Sequence, residues 1–366
     1  MSKSFIIFLV IIFFLSFAFA IAYTFLEKEI KNPVKLTAPF EVFEIKEGDR
    51  TRDIAKKLKN QGLIKNNLAF IFYVFKSGKG RNLLPGKYCL SSSQNIPQIL
   101  ESLIQGPAKE EIKLTFPEGW RLEKIEERLS KYGLIEKGEL SSLKIKDVKE
   151  KFKILEDFPN EASLEGVLFP DTYIFPCPSP QITCKGKTPE IVSCQKISKE
   201  IILNKFLSNF EIKVTPLLDE IKKQGRNLFE VITLASIVEK EVSDFEERRV
   251  IAGIFLKRIK EGKKLDSCST IAYILKKEGW TFEEMRKEIA QAKDIDSPYN
   301  TYKYLGLPPG PISNPGLAAI KATVYPKETE FYYFLTDPQT GKTIFSRTLE
   351  EQGENTAKYF SKETSK

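Results

Sequence analysis

The feature that most constrains the fold is an uninterrupted apolar run at the amino terminus. From Phe5 to Leu26 the sequence reads FIIFLVIIFFLSFAFAIAYTFL, which is 22 residues without a charge. Because a helix rises about 1.5 Å per residue, roughly 20 apolar residues suffice to cross the hydrocarbon core of a bilayer. The run therefore predicts a membrane-spanning helix, so that residues 1–27 form a short cytoplasmic stub and an anchor.

A cleaved signal peptide is the alternative interpretation of this run. The residues AFA at positions 18–20 resemble a small-residue cleavage site. The apolar run is longer than the core of an ordinary signal peptide, and it continues past that site through Tyr23 and Phe25. We therefore favour an uncleaved anchor. Lysines lie on both sides of the run, so the flanking charges do not fix its orientation.

The absence of histidine restricts the chemistry that the chain can perform. None of the 366 residues is a histidine, which excludes Ser/His/Asp and Cys/His catalytic systems and histidine metal sites. The formal charge of +8 comes from lysines spread along the chain, without the arginine cluster or aromatic platform typical of nucleic-acid binding. We expect carboxylate chemistry, no metal ion or other cofactor, and no nucleic-acid partner.

Five cysteines are spaced unlike any zinc motif. Cys177, Cys184 and Cys194 lie in a segment with several prolines and lysines that reads as a loop insertion, while Cys89 and Cys268 lie elsewhere. Three arrangements are open for the insertion. Cys177 pairs with Cys194, Cys184 pairs with one of these two, or the cysteines are isolated thiols.

An internal repeat occupies the region after the anchor. EIKEGDRTRDIAKKLKNQGLI at residues 44–64 aligns without a gap to TFPEGWRLEKIEERLSKYGLI at residues 115–135. Each copy predicts a strand, a Glu-Gly turn, an amphipathic helix and a glycine stop. The sequence after the first copy predicts further helices and a strand. The chain therefore contains one complete small module of strands and helices, followed by a second copy of its first part. Duplication of a scaffold without any ligand is the alternative to a binding role.

A helix around residue 235 places a carboxylic acid on an apolar stripe. Asn227 and Glu230 resemble a capping box that opens this helix, and Ser243 and Glu246 resemble one that opens a second helix ending at Gly262. At about 100° per residue, Glu239 and four apolar residues share one face, while Glu241 lies on the opposite face. The four are Leu228, Ile232, Ala235 and Val242. A buried ion pair with a lysine or arginine is the structural alternative to a catalytic role for Glu239.

An elaborate loop follows these helices. Residues 296–316, DSPYNTYKYLGLPPGPISNPG, combine tyrosines, asparagines, prolines and glycines. Pyranose rings pack on aromatic faces and need amide and hydroxyl partners, so the loop suits a sugar, whereas a proline-rich surface loop without a ligand is the alternative. Beyond it, LAAIKATVYP predicts a helix, and EFYYFLTD with KTIFSRT predicts a hairpin.

Four motifs in this order resemble one family. LEGVLFPDTYIFP, ASIVEKE, SPYNTY and GLPPGPISNPG, behind an apolar anchor, resemble the endolytic murein transglycosylases of the MltG or YceG-like family. The resemblance covers about residues 40–360. It implies a single-pass protein of the cytoplasmic membrane whose catalytic domain lies on the periplasmic or extracellular side. It also implies internal cleavage of peptidoglycan glycan strands between MurNAc and GlcNAc to leave 1,6-anhydro ends, beside peptidoglycan synthases as partners.

The resemblance also implies which residues act. The first glutamate of ASIVEKE is the acid/base of the family, and here it is Glu239, the residue already singled out by the helical pattern. Glycan binding falls to the SPYNTY and SNPG motifs, through Tyr299, Asn300, Thr301, Tyr302 and Asn314. Desolvation on the apolar stripe is expected to raise the pKa of Glu239 towards that of a general acid.

The sequence departs from the family pattern at one position and carries an insertion. Where the family has an acidic residue before Pro-Thr, this chain has Cys268, and Asp266 is out of register. Asp171 reads as a turn or capping residue and not as a second catalytic group. We expect an α+β protein with a transmembrane helix, a LysM-like module at residues 38–110 and a transglycosylase domain at residues 111–366. The competing hypothesis is a membrane-tethered scaffold that binds peptidoglycan without cleaving it.

Overall fold

The protein folds into two compact units. The computed structural model describes residues 3–276, 292 and 294–360. Unit 1 comprises Met1–Ile112 and Pro176–Gln195, and unit 2 comprises Lys113–Phe175 and Lys196–Lys366. The cysteine-containing insertion folds with the amino-terminal unit.

The described elements include both helices and antiparallel strand pairs, as expected for an α+β protein. The helices are α1 (Lys3–Lys31), α2 (Thr51–Asn60), α3 (Asn67–Ser77), α4 (Ile96–Ile104), α5 (Leu122–Lys131), α6 (Lys146–Lys149), α7 (Lys199–Val214), α8 (Leu218–Lys223), α9 (Leu228–Glu241), α10 (Phe245–Lys260), α11 (Cys268–Ile274), α12 (Leu317–Val324) and α13 (Leu349–Phe360). The strands are β1 (Glu41–Ile45), β2 (Gly86–Leu90), β3 (Glu111–Thr115), β4 (Thr172–Pro176), β5 (Gln181–Lys185), β6 (Thr188–Ser193), β7 (Tyr333–Thr336) and β8 (Thr343–Ser346). The mixed α+β class is confirmed.

Helix α1 has the length and composition of a membrane span. Its stretch Phe5–Lys31 contains a window of mean hydropathy 3.1 that is not buried inside the protein. Only the end of the helix joins the core of unit 1, where Ile30 is buried and Leu26 packs against the cluster.

Unit 1 is built on two small antiparallel pairs of strands. Strands β1 and β2 pair with Val42 opposite Cys89, and β5 pairs with β6. Helices α2, α3 and α4 bury their apolar faces in one core that includes Leu58, Phe70 and Leu100.

Two disulfides lie in unit 1. Cys177 bonds to Cys194, as one of the sequence arrangements predicts, and Cys89 bonds to Cys184. The second bond joins β2 to β5, so the insertion is covalently attached to the module. Cys268 is not part of either disulfide, and its Sγ lies 3.1 Å from the Tyr302 hydroxyl.

The two copies of the repeat have the same local structure. The Glu-Gly turns place Gly48 at φ 84° and Gly119 at φ 74°, a left-handed conformation that favours glycine. Each turn leads into a helix of 10 residues, α2 or α5. The glycine stops Gly62 and Gly133 have φ of 73° and 74°.

Helices α9 and α10 form the centre of unit 2. Leu234, Ile237 and Val238 of α9 pack with Ile251 and Phe255 of α10 in one buried cluster. This burial makes α9 a rigid base for the residues at its carboxyl end.

Side chains of Asn227 and Asp244 cap the amino-terminal ends of α9 and α10. Asn227 caps α9 by accepting a hydrogen bond from the Glu230 backbone amide, as expected. The prediction of Ser243 as the cap of α10 is wrong. Asp244, one residue later, accepts the bond from the Glu247 amide, because its carboxylate is an equally good capping group and lies in the extended conformation that a cap needs.

The carboxyl-terminal elements follow the sequence prediction. Strands β7 and β8 form an antiparallel hairpin in which Leu335 lies opposite Ile344. Helix α12 occupies the predicted apolar segment after the loop at residues 296–316.

Candidate active site

Glu239 lies in the last turn of α9, where two donors hold its carboxylate. Arg248 Nη2 donates to Oε1 at 2.8 Å, and the Gly316 amide donates to Oε2 at 3.1 Å. The side chains of Glu239 and Arg248 are each 6% exposed. Arg248 Nε also donates to the Val242 carbonyl at 2.8 Å, which fixes the turn between α9 and α10.

Burial raises the pKa of Glu239 above its usual range. Desolvation is the largest cause, because a buried site penalises the charged form of the carboxyl. The Arg248 guanidinium and the Gly316 amide oppose it, while the negative charge of Glu118 adds to it. Both the ion pair expected for a structural role and the raised pKa expected for an acid are therefore present.

The Glu-Gly turn of the second repeat forms a wall beside this carboxyl. A Cβ on Gly119 would lie 3.4 Å from Glu239 Cγ, so the turn packs directly against the side chain. The carboxylate of Glu118 lies over Gly316, where an added Cβ would be 1.9 Å from Glu118 Oε1. A second, exposed carboxylate thus stands next to the amide that binds Glu239.

Asn314 joins two of the motifs that carry the family resemblance, and it also binds the second copy of the repeat. Its Oδ1 accepts from the Gly166 and Leu168 amides, each at 2.9 Å. Its Nδ2 donates to Glu165 Oε1 at 2.8 Å and to the Trp120 carbonyl at 3.0 Å. The side chain is buried, and it positions the LEGVLFP segment and the turn after Glu118 around the end of α9.

One cavity of unit 2 is lined by the two residues that follow Glu239 in α9. Its volume is about 520 Å³, and Lys240, Glu241, Cys268 and Tyr302 are among the residues that line it. Glu239 is not among the described residues that line this cavity, and its side chain is 6% exposed.

Glu241 is an acid that points into this cavity. Ser267 Oγ donates to its Oε1 at 2.6 Å, and Ser269 Oγ donates to the same oxygen at 3.1 Å. Burial raises the pKa of Glu241, and the serine hydrogen bonds oppose that rise. These bonds also connect the end of α9 to the start of α11.

A second cavity of about 340 Å³ lies in the same unit. Arg121, Glu165, Tyr273 and Tyr299 are among the residues that line it. The rings of Tyr273 and Tyr299 are 4.8 Å apart at an angle of 40°, and the Arg121 guanidinium lies 5.0 Å from the Tyr273 ring. Arg121 also lines the larger cavity.

The five residues predicted to bind glycan fall into two groups. Tyr299 and Tyr302 each line a cavity. Asn300, Thr301 and Asn314 are buried, with 0%, 2% and 1% of their surfaces exposed. The Asn300 side chain binds the Ile295 carbonyl and the Tyr302 amide, and Thr301 Oγ1 accepts from the Ser267 amide, so these polar groups shape the loop.

Three residues of the site were not found by the sequence reasoning. The helical pattern placed Glu241 on the face opposite Glu239 but gave it no partner. Arg248 lies in the next helix, α10, whose angle to α9 the sequence does not give. Glu118 carried a usable signal, because it lies in the repeated Glu-Gly turn. Among the described residues, no group of three or more acidic or cysteine side chains could hold a metal ion.

Comparisons with known proteins identify the family. A model of the YceG-like family matches residues 43–358. An endolytic murein transglycosylase of Bacillus subtilis strain 168 is 29% identical over 354 residues, which are 93% of this chain and 88% of that protein. One from Streptococcus pneumoniae serotype 2 is 28% identical over 336 residues, which are 86% of this chain and 57% of the relative, so the chain spans little more than half of it.

A solved structure supports the same conclusion. The crystal structure of a putative yceG-like protein from Listeria monocytogenes superimposes with a TM-score of 0.55 at 30% identity, and it covers 87% of this chain and 100% of that one. Since the family match extends over most of the sequence, the chain belongs to the YceG-like family.

Proposed function

We propose that this protein is an endolytic murein transglycosylase and that Glu239 is its single acid and base. The observation that carries the proposal is the position of Glu239, whose side chain is 6% exposed and whose pKa burial raises. Family membership supports it, as do relatives named endolytic murein transglycosylase. The chain contains no histidine, so a carboxyl group is the natural proton carrier near neutral pH.

The reaction divides into two proton transfers. In the first, the carboxyl of Glu239 protonates the glycosidic oxygen between MurNAc and GlcNAc as the bond from that oxygen to C1 breaks. In the second, the C6 hydroxyl of the same MurNAc attacks C1 and gives its proton to the Glu239 carboxylate. The products are a free GlcNAc hydroxyl and a 1,6-anhydroMurNAc end. No water is consumed, so a second carboxylate that activates water is not required.

Arg248 stabilises the carboxylate of Glu239 between the two proton transfers. Once Glu239 has given up its proton, the carboxylate is buried and needs stabilisation. Arg248 Nη2 and the Gly316 amide already lie 2.8 and 3.1 Å from its two oxygens. They therefore stabilise the charged intermediate without any rearrangement.

We assign contact with the glycan to Tyr299 and Tyr302. Both rings line cavities in unit 2, and sugar rings pack on aromatic faces. Burial raises the pKa of Tyr302, so its hydroxyl stays protonated and can donate to a sugar oxygen. Asn300, Thr301 and Asn314 hold the loop in place instead of contacting the glycan.

We further propose that α1 anchors the protein in the cytoplasmic membrane with both units outside the cytoplasm. Disulfides persist in oxidising compartments, and unit 1 contains two of them. Residues 38–110 then form a LysM-like module next to the membrane. Peptidoglycan synthases as partners follow from the family resemblance.

Digestion of purified murein sacculi tests the activity against the scaffold hypothesis. The full chain in detergent should release fragments with 1,6-anhydroMurNAc ends, which mass spectrometry detects. Glu239→Gln should lower the rate by roughly 10²- to 10⁴-fold, which is the usual contribution of a general acid. Glu246→Gln, at an exposed glutamate that pairs with Arg249, is the control that should retain activity. Binding of sacculi by the wild type without such fragments would support the scaffold.

A further inference from the structure

Helix α3 is apolar on two opposite faces. Ala69, Phe70 and Val74 are buried in the core of unit 1. Leu68, Ile71, Phe72 and Phe75 follow each other at the spacing of one helical stripe. In the middle of this stripe, Ile71 and Phe72 are half-buried and pack against the edge of the core, and the two end residues are exposed. Leu68 is 63% exposed and Phe75 is 86% exposed. We call these four residues the outer stripe of α3.

The outer stripe differs from the exposed face of helix α2. Helix α2 of the same unit turns Lys56 and Lys59 to solvent and buries Ile54 and Leu58. A helix that is apolar all round is typical of a protein core or a membrane. The outer stripe therefore has the composition of a surface that is covered.

Helix α3 lies beside the carboxyl end of α1, so the outer stripe is next to the proposed membrane span. The rings of Tyr23 and Phe72 meet edge to face at 6.1 Å. Lys76 Nζ donates to Glu27 Oε1 at 3.0 Å and to the Tyr23 hydroxyl at 3.3 Å. Tyr23 is still within the charge-free run that ends at Leu26, so the end of α3 is level with the last turn of the span.

Basic residues surround this level of unit 1. Lys28 and Lys31 lie in the last turn of α1, and Lys79 and Arg81 follow α3 on the exposed surface. Lysine and arginine next to a span attract anionic lipid headgroups. Aromatic side chains such as Tyr23 and Phe72 are enriched at the same depth.

We propose that the outer stripe of α3 lies in the lipid of the leaflet from which α1 emerges. Unit 1 is then held on the membrane by two contacts, the transmembrane helix and an interfacial helix, and it does not swing on a flexible tether. This inference rests on the proposed anchoring of α1. The chemistry required of the partner is an anionic bilayer surface.

Fluorescence quenching by brominated lipids tests the contact in the full chain. Phe75→Trp places a reporter on the outer stripe, and Ile212→Trp places one at a position of unit 2 that is 69% exposed. Each variant is reconstituted into nanodiscs of anionic lipid with or without bromine on the acyl chains. The fluorescence of the wild type, which comes from Trp120 and Trp280, is subtracted.

The expected result is specific to position 75. Bromine should quench the added fluorescence at position 75 by about half, since side chains of interfacial helices enter the headgroup boundary by roughly 5–10 Å. Fluorescence added at position 212 should not change. If aqueous iodide quenches the fluorescence added at position 75 as strongly as that added at position 212, the proposal is overturned. Shielding from iodide without quenching by bromine would also overturn it, because a protein would then cover the stripe.

Failure of the anchor can be told apart from failure of the stripe. If α1 does not span a bilayer, the protein will not copurify with the nanodiscs, and both the anchor and the lipid contact are refuted. If the protein copurifies but the tryptophan at position 75 is quenched by iodide and not by bromine, only the lipid contact is refuted.

Discussion

The guanidinium of Arg248 lies 2.8 Å from Oε1 of Glu239, and only 6% of either side chain is exposed. The arginine favours the charged carboxylate, whereas burial favours the neutral acid. Burial has the larger effect, so the pKa of Glu239 is raised. Because several neighbours act on one carboxyl, removal of each should move its pKa in a known direction.

Removal of the arginine should make Glu239 a weaker acid. In Arg248→Gln the charge that lowers the pKa of Glu239 is lost, so the pKa rises further. A general acid works in its protonated form, and activity falls as pH rises through its pKa. The basic limb of the pH profile of kcat/KM should therefore move to higher pH. Arg249→Gln, which loses only a surface pair with Glu246, should leave the limb in place. A shift to lower pH in Arg248→Gln would contradict the assignment.

Removal of the neighbouring carboxylate should have the opposite effect. Glu118 raises the pKa of Glu239 through its negative charge. Glu118→Gln should lower that pKa and move the basic limb to lower pH. Glu47→Gln makes the same change in the first copy of the repeat and is the matched control. Equal pH profiles for the two variants would show that Glu118 does not act on Glu239.

The tight packing of the LEGVLFP segment predicts a stability effect. A Cβ on Gly166 would lie 2.6 Å from the Pro311 ring and 2.9 Å from Ile232, at a φ of 91°. Gly138 has a φ of 96°, but nothing lies within 4 Å of its added Cβ. Gly166→Ala should therefore cost about 1–3 kcal/mol more free energy of unfolding than Gly138→Ala, which shares the backbone strain. Denaturant unfolding of both variants measures this, and equal costs would contradict the packing.

Glu241 should make stability depend on pH. Burial raises its pKa above the ordinary value of 4.5 in the folded protein. The neutral Glu241 carboxyl is the form that the folded protein favours. Its contribution to the free energy of unfolding is therefore fully present below pH 4.5 and is lost as pH rises through the pKa of the folded state. Glu241→Gln keeps an oxygen for Ser267 and Ser269 and carries no charge at any pH. The Tm of the variant minus that of the wild type should increase between pH 4 and pH 8. A difference that is constant with pH would refute the burial of a charge at this position.

Features determined by local chemistry could be predicted from the sequence. The repeated Glu-Gly turns need a left-handed glycine, so Gly48 and Gly119 have nearly equal φ. The capping pair at Asn227 and the alternating pattern of the carboxyl-terminal hairpin are equally local. The helical stripe singled out Glu239, whose catalytic role stays a prediction.

Contacts between distant segments could not be predicted in the same way. The disulfide between Cys89 and Cys184 joins residues that are 95 positions apart. The sequence around either cysteine does not indicate which cysteine is its partner. The ion pair between Glu239 and Arg248 depends on the angle between α9 and α10, which the sequence leaves open. Asn300, Thr301 and Asn314 were predicted to bind sugar from the family motifs and the polarity of the loop. Polar side chains also form buried hydrogen bonds, and these three residues do so.

The most direct measurement is a titration of the Glu239 carboxyl itself. Carbon-13 NMR of protein labelled at glutamate side chains, with the Glu239 signal assigned by its loss in Glu239→Gln, gives the pKa without any assay of activity. The midpoint is expected to lie above the ordinary carboxyl value of 4.5. A midpoint at or below 4.5 would show that Arg248 keeps this carboxyl charged, and it would contradict the role of Glu239 as the acid.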